Sequence, residues 1–291
     1  MSDYQFGDTV VVGDTSGEHD LCVIFIHGLG DNGKMWADQW DQLNLEKIKV
    51  ICPTAPTVPV SINKGAKMPA WFDLPPMGPE MFTKIDEKGI GASIAHVFDT
   101  IEKECASGTS IGRIVIGGFS QGGCLAIQTV LRCKYELAGV VLMSAFMGPD
   151  QNLKPPFIET TNLAVPWIWG HGDADPIVPY AMGKWSSDSL KKMGVDLEWH
   201  CYPKQTHIAS PEQFRHVADF LEKLRGNVKL KEAEGKLSEP GAVVIKSPVA
   251  AMTPKALENL PVDKIKEFVV DFMEQCNDRS RILKMALGAF D

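Results

Sequence analysis

A single serine between glycines most constrains how this chain can fold. Gly118-x-Ser120-x-Gly122 follows an apolar, β-branched run at 114–116 and precedes a helix-forming run at 124–131. This order predicts a strand, a sharp turn and a helix, with the serine hydroxyl exposed on a strained backbone. The glycines are needed because strand and helix nearly touch at such a turn. The alternative is a glycine-rich turn that contains a serine by chance.

Apolar runs that fit buried strands recur on both sides of this turn. Strands are predicted at 21–26, 50–52, 139–144, 165–170 and 197–202, and helices at 90–107, 181–193 and 211–224. Strands that alternate with helices predict an α/β fold with a mostly parallel, doubly wound sheet. The ligand site of such a sheet lies at the carboxyl ends of its strands.

Loops at these predicted carboxyl ends contain the residue types of nucleophilic catalysis. A serine hydroxyl needs a base to take its proton, and the base needs an acid to orient it. His207 is the candidate base, because it lies in the loop between the last predicted strand and the helix at 211–224. Asp173 and Asp175 are both candidates for the acid. Whichever of them is not the acid is expected to form hydrogen bonds with the backbone of the loop. His27 and His171 precede turn glycines and are expected to make structural hydrogen bonds.

The glycine-rich loop at 28–33, after the first buried strand, allows two interpretations. It fits G-x-G-x-x-G, the string of a dinucleotide phosphate loop. Asp31 would then lie among the phosphate-facing amides, and no acidic residue follows a second strand at the ribose distance, so this interpretation is rejected. The loop is instead predicted to form an oxyanion hole, from the backbone N–H of Leu29 and that of Gln121, the residue after the nucleophile.

A proline-rich segment at 53–79 contains several apolar side chains, among them Trp71, Phe72 and Leu74. Loops this long inside a compact domain are usually functional. The segment is therefore predicted to form the wall of an apolar groove, although a loop packed over the core is nearly as good an interpretation.

Composition excludes several classes of function. Residues 226–291 contain ten basic and ten acidic side chains, so the net charge of −8 lies entirely in the first 225 residues. An acidic body is repelled by nucleic acid and by anionic lipid. The seven cysteines lack metal-ligand spacing and predict reduced thiols in a cytoplasmic protein. No signal peptide and no transmembrane segment is predicted.

Four blocks of sequence together resemble one family. They read FIHGLGD at 25–31, MPAWFD at 68–73, GGFSQGG at 117–123 and HGDADPIVP at 171–179. These blocks are similar to those of the acyl-protein thioesterase and lysophospholipase-like carboxylesterases, a family of α/β hydrolases. The resemblance implies a triad of Ser120, Asp175 and His207. It thereby favours Asp175 over Asp173 as the acid. It also implies oxyanion donors at Leu29 and Gln121, and it maps the family's acyl-binding channel onto Leu74, Met77, Phe146 and Ile177.

The resemblance implies a serine hydrolase that needs no cofactor and no metal. Its expected substrates are S-acylated proteins, with lysophospholipids or small esters as the alternative and a catalytically silent binding module as the rival of another class. The chain departs from the family in two places. Thr206-His207-Ile208 stands where the family usually has Gly-His-Ser, and Ser2 replaces a cysteine that is lipidated in human-type members, so recruitment by palmitoylation is not implied.

The resemblance ends before the last part of the chain. A hydrolase domain is predicted at 1–225, a linker rich in Lys, Glu, Gly and Pro at 226–252, and amphipathic helices at 253–291. The helices are expected to dock on the hydrolase domain. A homodimer or partner interface is the alternative, and a membrane-surface helix is disfavoured because basic residues do not dominate the polar face.

Overall fold

The computed structural model describes residues 4–76, 84–148 and 161–237. Strands in this part of the chain are Gly7–Gly13 (β1), Leu21–Ile26 (β2), Ile48–Thr54 (β3), Thr57–Val60 (β4), Ala66–Pro69 (β5), Ile114–Phe119 (β6), Gly139–Met143 (β7), Trp167–Gly172 (β8) and Leu197–Tyr202 (β9). The α-helices are Gly33–Asp41 (α1), Glu87–Ala106 (α2), Gln121–Val130 (α3), Tyr180–Lys192 (α4) and Pro211–Ala233 (α5).

Seven strands form one sheet in the order β1-β3-β2-β6-β7-β8-β9, and β4 pairs with β5 in a separate hairpin. Strand β1 is antiparallel to β3, and all other neighbours in the large sheet are parallel. The predicted mostly parallel α/β sheet is therefore confirmed. Every residue of β2 is buried, because helices cover both faces of a parallel sheet.

Side chains alternate between the two faces of the sheet. Leu21, Val23 and Phe25 of β2 belong to one apolar cluster with residues of α1 and α5. Helix α3 contacts β2, β6 and β7, and α2 packs beside it. Among the described residues, no helix is both long and apolar enough to cross a membrane.

Strand β1 was not predicted from the sequence. It lies at the edge of the sheet, its residues are mostly exposed, and its pairing with β3 is irregular between Gly7 and Val10. Its apolar run is short, Val10 to Val12, and is bounded by a polar residue and a glycine, so the local sequence indicates the strand only weakly.

The predicted linker at 226–252 begins too early. Helix α5 continues past Gly226 to Ala233, and Val228 is buried in the core cluster. Three ion pairs connect the part of α5 after Gly226 to the rest of the domain: Lys229 with Asp20 at 2.9 Å, and Lys231 with Glu136 and Glu232 with Arg113, both at 2.6 Å. These contacts offset the cost of a glycine inside a helix, about 1 kcal/mol. The rest of the predicted linker and the helices at 253–291 lie outside the described residues.

The proline-rich segment folds over the core in its described part. Trp71 and Phe72, predicted as a groove wall, are 0% and 2% exposed, so the interpretation as a packed loop is correct for them. The six cysteines of the described residues are free, as predicted; Cys201 is exposed and the other five are buried.

Candidate active site

The strained turn predicted around Ser120 is present. Ser120 has φ 52° and ψ −119°, a conformation that costs a non-glycine residue on the order of 1–3 kcal/mol. A Cβ at Gly122 would lie 2.0 Å from the carbonyl oxygen of Ile26, and one at Gly118 would lie 2.4 Å from the backbone of Gly122. Both glycines are thus required for α3 to start directly against the sheet. The turn ends at the amino end of α3 with the serine as its N-cap residue.

The candidate base and acid lie in two neighbouring loops that leave β9 and β8. His207 Nδ1 and Asp175 Oδ2 are 2.7 Å apart. Because an ionised carboxylate only accepts hydrogen bonds, Nδ1 is the protonated nitrogen and Nε2 is left for proton transfer. The His207 ring centroid lies 4.8 Å from that of Phe119, the residue before Ser120. The strained turn at Ser120, hereafter the elbow, and the loop at 205–208, hereafter the base loop, therefore meet at the carboxyl end of the sheet.

The spacing left two aspartates in competition, and their contacts differ clearly. Asp175 is buried, and its second oxygen accepts hydrogen bonds from the N–H groups of Ile177 and Val178, each at 2.9 Å. Burial alone would raise the pKa of Asp175, but the bonds from His207 and these two N–H groups lower it. Asp173 is exposed and accepts from the N–H of Lys204 at 2.6 Å, the loop-backbone role expected for the aspartate that is not the acid.

The two histidines before turn glycines make structural hydrogen bonds, as predicted. His27 Nδ1 donates to the Gly28 carbonyl at 2.7 Å, and its Nε2 accepts from the N–H of Ala55 at 3.0 Å. His171 Nε2 donates to the Val178 carbonyl at 2.9 Å. Burial lowers the pKa of both imidazoles. His171 Nε2 also lies 3.6 Å from Asp175 Oδ2, so the carboxylate has an imidazole on each side.

The predicted oxyanion donors lie at the start of α3 and in the loop after β2. Gln121 is the first residue of α3, where backbone N–H groups lack an intrahelical acceptor. Leu29 lies between Gly28, whose added Cβ would be 2.9 Å from the Phe119 ring, and Gly30, which has φ 82° and donates to the Pro69 carbonyl. The loop therefore crosses directly over the residue before the nucleophile.

Asp31, whose position argued against a phosphate loop, makes a contact of its own. Its Oδ2 accepts a hydrogen bond from Trp36 Nε1 at 3.0 Å. Asn32 caps α1 by accepting from the N–H of Met35. Side chains of the loop at 28–33 thus stabilise the loop and the following helix.

The side chain of Gln121 connects the oxyanion position to the proline-rich segment. It is fully buried; its Oε1 accepts from the N–H of Trp71 at 3.1 Å, and its Nε2 donates to the Phe72 carbonyl at 2.8 Å. Trp71 Nε1 in turn donates to the carbonyl of His27, which precedes the oxyanion loop. These bonds hold the segment at 71–72 against the elbow. No local pattern in the sequence predicts this role, because the partners lie about 50 residues apart along the chain.

The four residues expected to bind an acyl chain differ in exposure. Leu74 is half-buried, Phe146 is buried, and Ile177 is 60% exposed, while Met77 lies outside the described residues. Ile208, which follows the candidate base, is 54% exposed and was not predicted to line the site. Two exposed isoleucines thus lie beside the candidate site: Ile177 is two residues after Asp175, and Ile208 directly follows His207.

One group of described side chains has metal-ligating atoms close together. Those of His19, Cys22 and Glu104 lie within 4.8 Å of one another near the amino end of β2. Lys49 Nζ lies 2.7 Å from Glu104 Oε2, and Thr109 Oγ1 donates to Oε1 at 2.6 Å. Burial also raises the pKa of the Cys22 thiol, which disfavours the thiolate that a metal requires. The group is therefore better explained as a buried ion-pair network than as a metal site.

Comparison with known proteins decides the family. A family model described as phospholipase/carboxylesterase matches residues 8–225. The chain belongs to this phospholipase/carboxylesterase family. Membership agrees with the α/β-hydrolase fold that the four sequence blocks implied, and the match covers all the candidate site residues.

Relatives within the family share both sequence and fold with this chain. Acyl-protein thioesterase 1 of Neurospora crassa is 40% identical over 215 residues, which cover 70% of this chain and 86% of the relative. The protein of the same name from Gibberella zeae is 37% identical, covering 71% and 91%. The crystal structure of Zea mays acyl-protein thioesterase 2 superposes with a TM-score of 0.66 at 30% identity, covering 76% of this chain and 100% of that one.

Proposed function

We propose that this protein is a serine hydrolase that cleaves acyl thioesters, with S-acylated proteins as its main substrates. The observation that carries the proposal is the 2.7 Å pair of His207 Nδ1 and Asp175 Oδ2, beside the strained turn at Ser120. Nucleophile, acid and base also follow one another along the chain in the order typical of α/β hydrolases. No member of the triad is missing, which disfavours a catalytically silent binding module.

The proposed reaction begins with acylation of Ser120. His207 Nε2 takes the hydroxyl proton as Oγ attacks the carbonyl carbon of the thioester, and the N–H groups of Leu29 and Gln121 stabilise the negative oxygen of the tetrahedral intermediate. The carbon–sulfur bond then breaks, and the imidazolium of His207 returns the proton to the leaving thiolate. A protein thiol is released, and the acyl group remains as an ester of Ser120.

Deacylation repeats these steps with water. His207 takes a proton from water as the oxygen attacks the acyl-enzyme, and the same proton goes back to Ser120 Oγ as the fatty acid leaves. Asp175 stays ionised throughout, because its pKa is lowered by the bonds it accepts. It fixes the Nδ1–H tautomer of His207 and stabilises the imidazolium. No metal or cofactor takes part in these steps.

Support for protein thioesters as substrates comes from the relatives. Those named acyl-protein thioesterase 1 are 35–40% identical, and the matched regions cover 86–92% of their length. The acidic charge of the body gives no attraction to nucleic acid or anionic lipid. We also propose a cytoplasmic location, which the free cysteines of the described residues support.

Lysophospholipids or small esters are the second candidate substrates, since the family description names phospholipase and carboxylesterase. The chemistry would be the same, and only the leaving group and the apolar contacts would differ. The exposed Ile177 and Ile208 favour a substrate with a long acyl chain, because each methylene that leaves water contributes roughly 0.8 kcal/mol.

A peptide series distinguishes these substrates. Cysteine peptides acylated with chains from butanoyl to hexadecanoyl are compared with the matched serine esters and with lysophosphatidylcholine, for the full chain and its Ser120→Ala variant. We expect kcat/KM to be highest on long thioesters and to rise about tenfold for each two methylenes until the chain exceeds its groove. A maximum on butanoyl substrates, or on lysophosphatidylcholine, would favour the second candidate instead.

A further inference from the structure

Two buried glutamines link the base loop to the sheet. Gln213, in the first turn of α5, is 0% exposed, and its Nε2 donates to the carbonyl of Gly170 in β8 at 3.0 Å. Its Oε1 accepts from Gln205 Nε2, also at 3.0 Å. Gln205 Nε2 donates in addition to the carbonyl of Ile208 at 3.0 Å. The chain of bonds therefore runs from β8 through α5 to the residue after His207.

We propose that Gln213 is a positioning residue for His207, which acts through Gln205 to set the loop at 205–208 against Asp175. The proposal rests on the function proposed above, in which His207 is the base. The amide of Gln213 does not touch the reacting atoms. Its role is to keep His207 Nδ1 within bonding distance of Asp175 while the ring exchanges protons with Ser120.

The hydrogen-bond partners give each amide a single orientation. A carbonyl can only accept, so the nitrogen of Gln213 must face Gly170, and its oxygen must then face Gln205. The nitrogen of Gln205 faces two acceptors, the Ile208 carbonyl and Gln213 Oε1. Turning either amide over would place oxygen against oxygen. The order of the bonds is thus fixed by chemistry.

The end of β8 leaves room for both glutamines. A Cβ at Gly170 would lie 2.6 Å from Gln213 Nε2, and one at Gly172 would lie 2.1 Å from the Gln205 carbonyl oxygen. The two glycines therefore let α5 and the base loop approach the strand that leads to Asp175. The loops that contain the acid and the base are therefore both positioned by the end of strand β8.

Apart from the glutamine bonds, the hydrogen bonds between the base loop and the loop that contains Asp175 come mainly from residues before His207. The N–H of Lys204 donates to Asp173, and the N–H of Ala174 donates to the Gln205 carbonyl at 3.2 Å. Both contacts precede His207 in the chain. Two bonds span His207. The N–H of Ile208 donates to the Thr206 carbonyl at 2.8 Å within the loop, and Gln205 Nε2 donates to the Ile208 carbonyl and continues through Gln213 to the sheet. Loss of the glutamine bonds would hold the part of the loop after His207 less firmly against β8, and a displacement of about 1 Å can cost about 100-fold in rate.

Two observations separate this role from that of an ordinary buried amide. The Gly170 carbonyl already accepts from the N–H of Ser144 at 2.9 Å, so it does not need Gln213 to satisfy it. Ser210 and Gln213 have the spacing of a capping box, in which the glutamine side chain returns to the N-cap. Here Ser210 Oγ accepts from the Gln213 N–H, but the glutamine side chain points to the sheet and the base loop.

The test uses Gln213→Met, which keeps the length of the side chain and removes both bonds. The control is Asn162→Leu, because Asn162 is also a fully buried amide but bonds to Leu137, Cys133 and Tyr135, away from the catalytic loops. Melting temperature, kcat and KM on a soluble thioester are measured for both. We expect both variants to have a lower melting temperature. Only Gln213→Met should have a lower kcat, by about 10- to 100-fold, with little change in KM.

A second variant, Gln213→Glu, provides a pH signature. The buried carboxyl should have a raised pKa, and only its protonated form can donate to the Gly170 carbonyl. The ratio of its kcat to that of the wild type should therefore rise as the pH falls, whereas for Gln213→Met the ratio should stay constant. A further readout is the low-field proton resonance of His207 Nδ1–H, which should broaden or disappear in Gln213→Met.

Wild-type kcat in Gln213→Met, or an equal loss in Asn162→Leu, would overturn the positioning role. The proposed function fails in a different way. Activity that survives His207→Ala would overturn the base assignment, and the positioning role with it. Activity lost in His207→Ala but kept in Gln213→Met would overturn the positioning role alone.

Discussion

The two ends of the sheet contain nearly the same functional groups in different arrangements. At the amino end, the hydroxyl of Thr109 donates to Glu104 at 2.6 Å, and His19 Nε2 lies 2.9 Å from that hydroxyl and 3.2 Å from the carboxylate. Lys49 supplies the opposite charge at 2.7 Å. Hydroxyl, imidazole and carboxylate thus bond to one another, and all three side chains are buried.

At the carboxyl end the same three types of group lie near one another, in another arrangement. Asp175 bonds to His207 through Nδ1 and to loop N–H groups, and Ser120 lies on a strained turn next to the ring that His207 contacts. In the proposed mechanism the carboxylate orients the imidazole and leaves its other nitrogen for proton transfer. The arrangement of the bonds, which the backbone sets, thus decides whether such groups stabilise the fold or can do chemistry.

The two ends of the sheet should differ most in how the loss of one side chain changes activity. His207→Ala should lower kcat/KM by a factor on the order of 10⁶, as removal of a triad member does. Thr109→Val should leave kcat/KM unchanged and cost about 1–3 kcal/mol of stability, since it leaves buried partners unsatisfied. Ester kinetics and chemical denaturation of the two variants check this. Comparable loss of activity in both would erase the distinction.

The acid should be the next most sensitive position. Asp175→Asn should lower kcat by about 10⁴, because the amide favours the wrong tautomer of His207. Asp173→Asn keeps a side-chain acceptor for Lys204 and serves as the control, with a much smaller effect expected. Kinetics on the same thioester measure both. If Asp173→Asn were the more damaging change, the acid role would pass to Asp173.

The amino-end network should appear in the pH dependence of stability. Burial alone would raise the pKa of Glu104, but bonds from His19, Lys49 and Thr109 lower it to about 2. Stability from the ionised form is therefore complete above the unfolded pKa and is lost as the pH falls through the folded one. The contribution is about 3 kcal/mol.

The variant Glu104→Gln isolates this contribution. It should be less stable than the wild type at neutral pH, and the gap in the free energy of unfolding should narrow between about pH 5 and pH 2. Denaturant titrations of both proteins at a series of pH values provide the difference in the free energy of unfolding. Contributions from other titrating groups largely cancel in this difference, because both proteins contain them. A gap that stays constant across this range would show that Glu104 is not ionised by the network.

The smallest expected effect is that of the last part of the chain. A truncation after Leu237 should keep wild-type kcat/KM, because all candidate site residues precede it. A truncation after Arg225 should in addition lose the burial of Val228 and the ion pairs of α5, about 2 kcal/mol and several degrees in melting temperature. Loss of activity in a folded 1–237 protein would show that residues 238–291 complete the site.

Local sequence predicted those parts of the fold that are defined by continuous apolar runs. The strands at 21–26 and 197–202 are predicted to the residue, and the other parallel strands and the turn at Ser120 are predicted within a few positions. Strand β1 is missed because its apolar run is only three residues long, Val10 to Val12, and because it pairs at the edge of the sheet. The end of α5 was misassigned because Gly226 and the charged residues after it are typical of linkers, whereas the burial of Val228 depends on the folded core.

The site was predictable where each residue has its own pattern and unpredictable where roles depend on distant contacts. Ser120 stands in a recognisable turn, but Asp173 and Asp175 share one loop and differ only in what they meet after folding. Gln121 reaches a segment 50 residues away, and Gln213 reaches a carbonyl 43 residues away. No spacing rule along the chain anticipates such bonds.

The central claim is that Ser120 is the nucleophile, and a fluorophosphonate probe tests it most directly. The full chain, Ser120→Ala and Thr109→Val are labelled and digested, and the modified peptide is located by mass spectrometry. Our account predicts one adduct, on Ser120, equal in the wild type and Thr109→Val and absent from Ser120→Ala. Labelling that persists in Ser120→Ala, or an adduct on another residue of the folded protein, would contradict it.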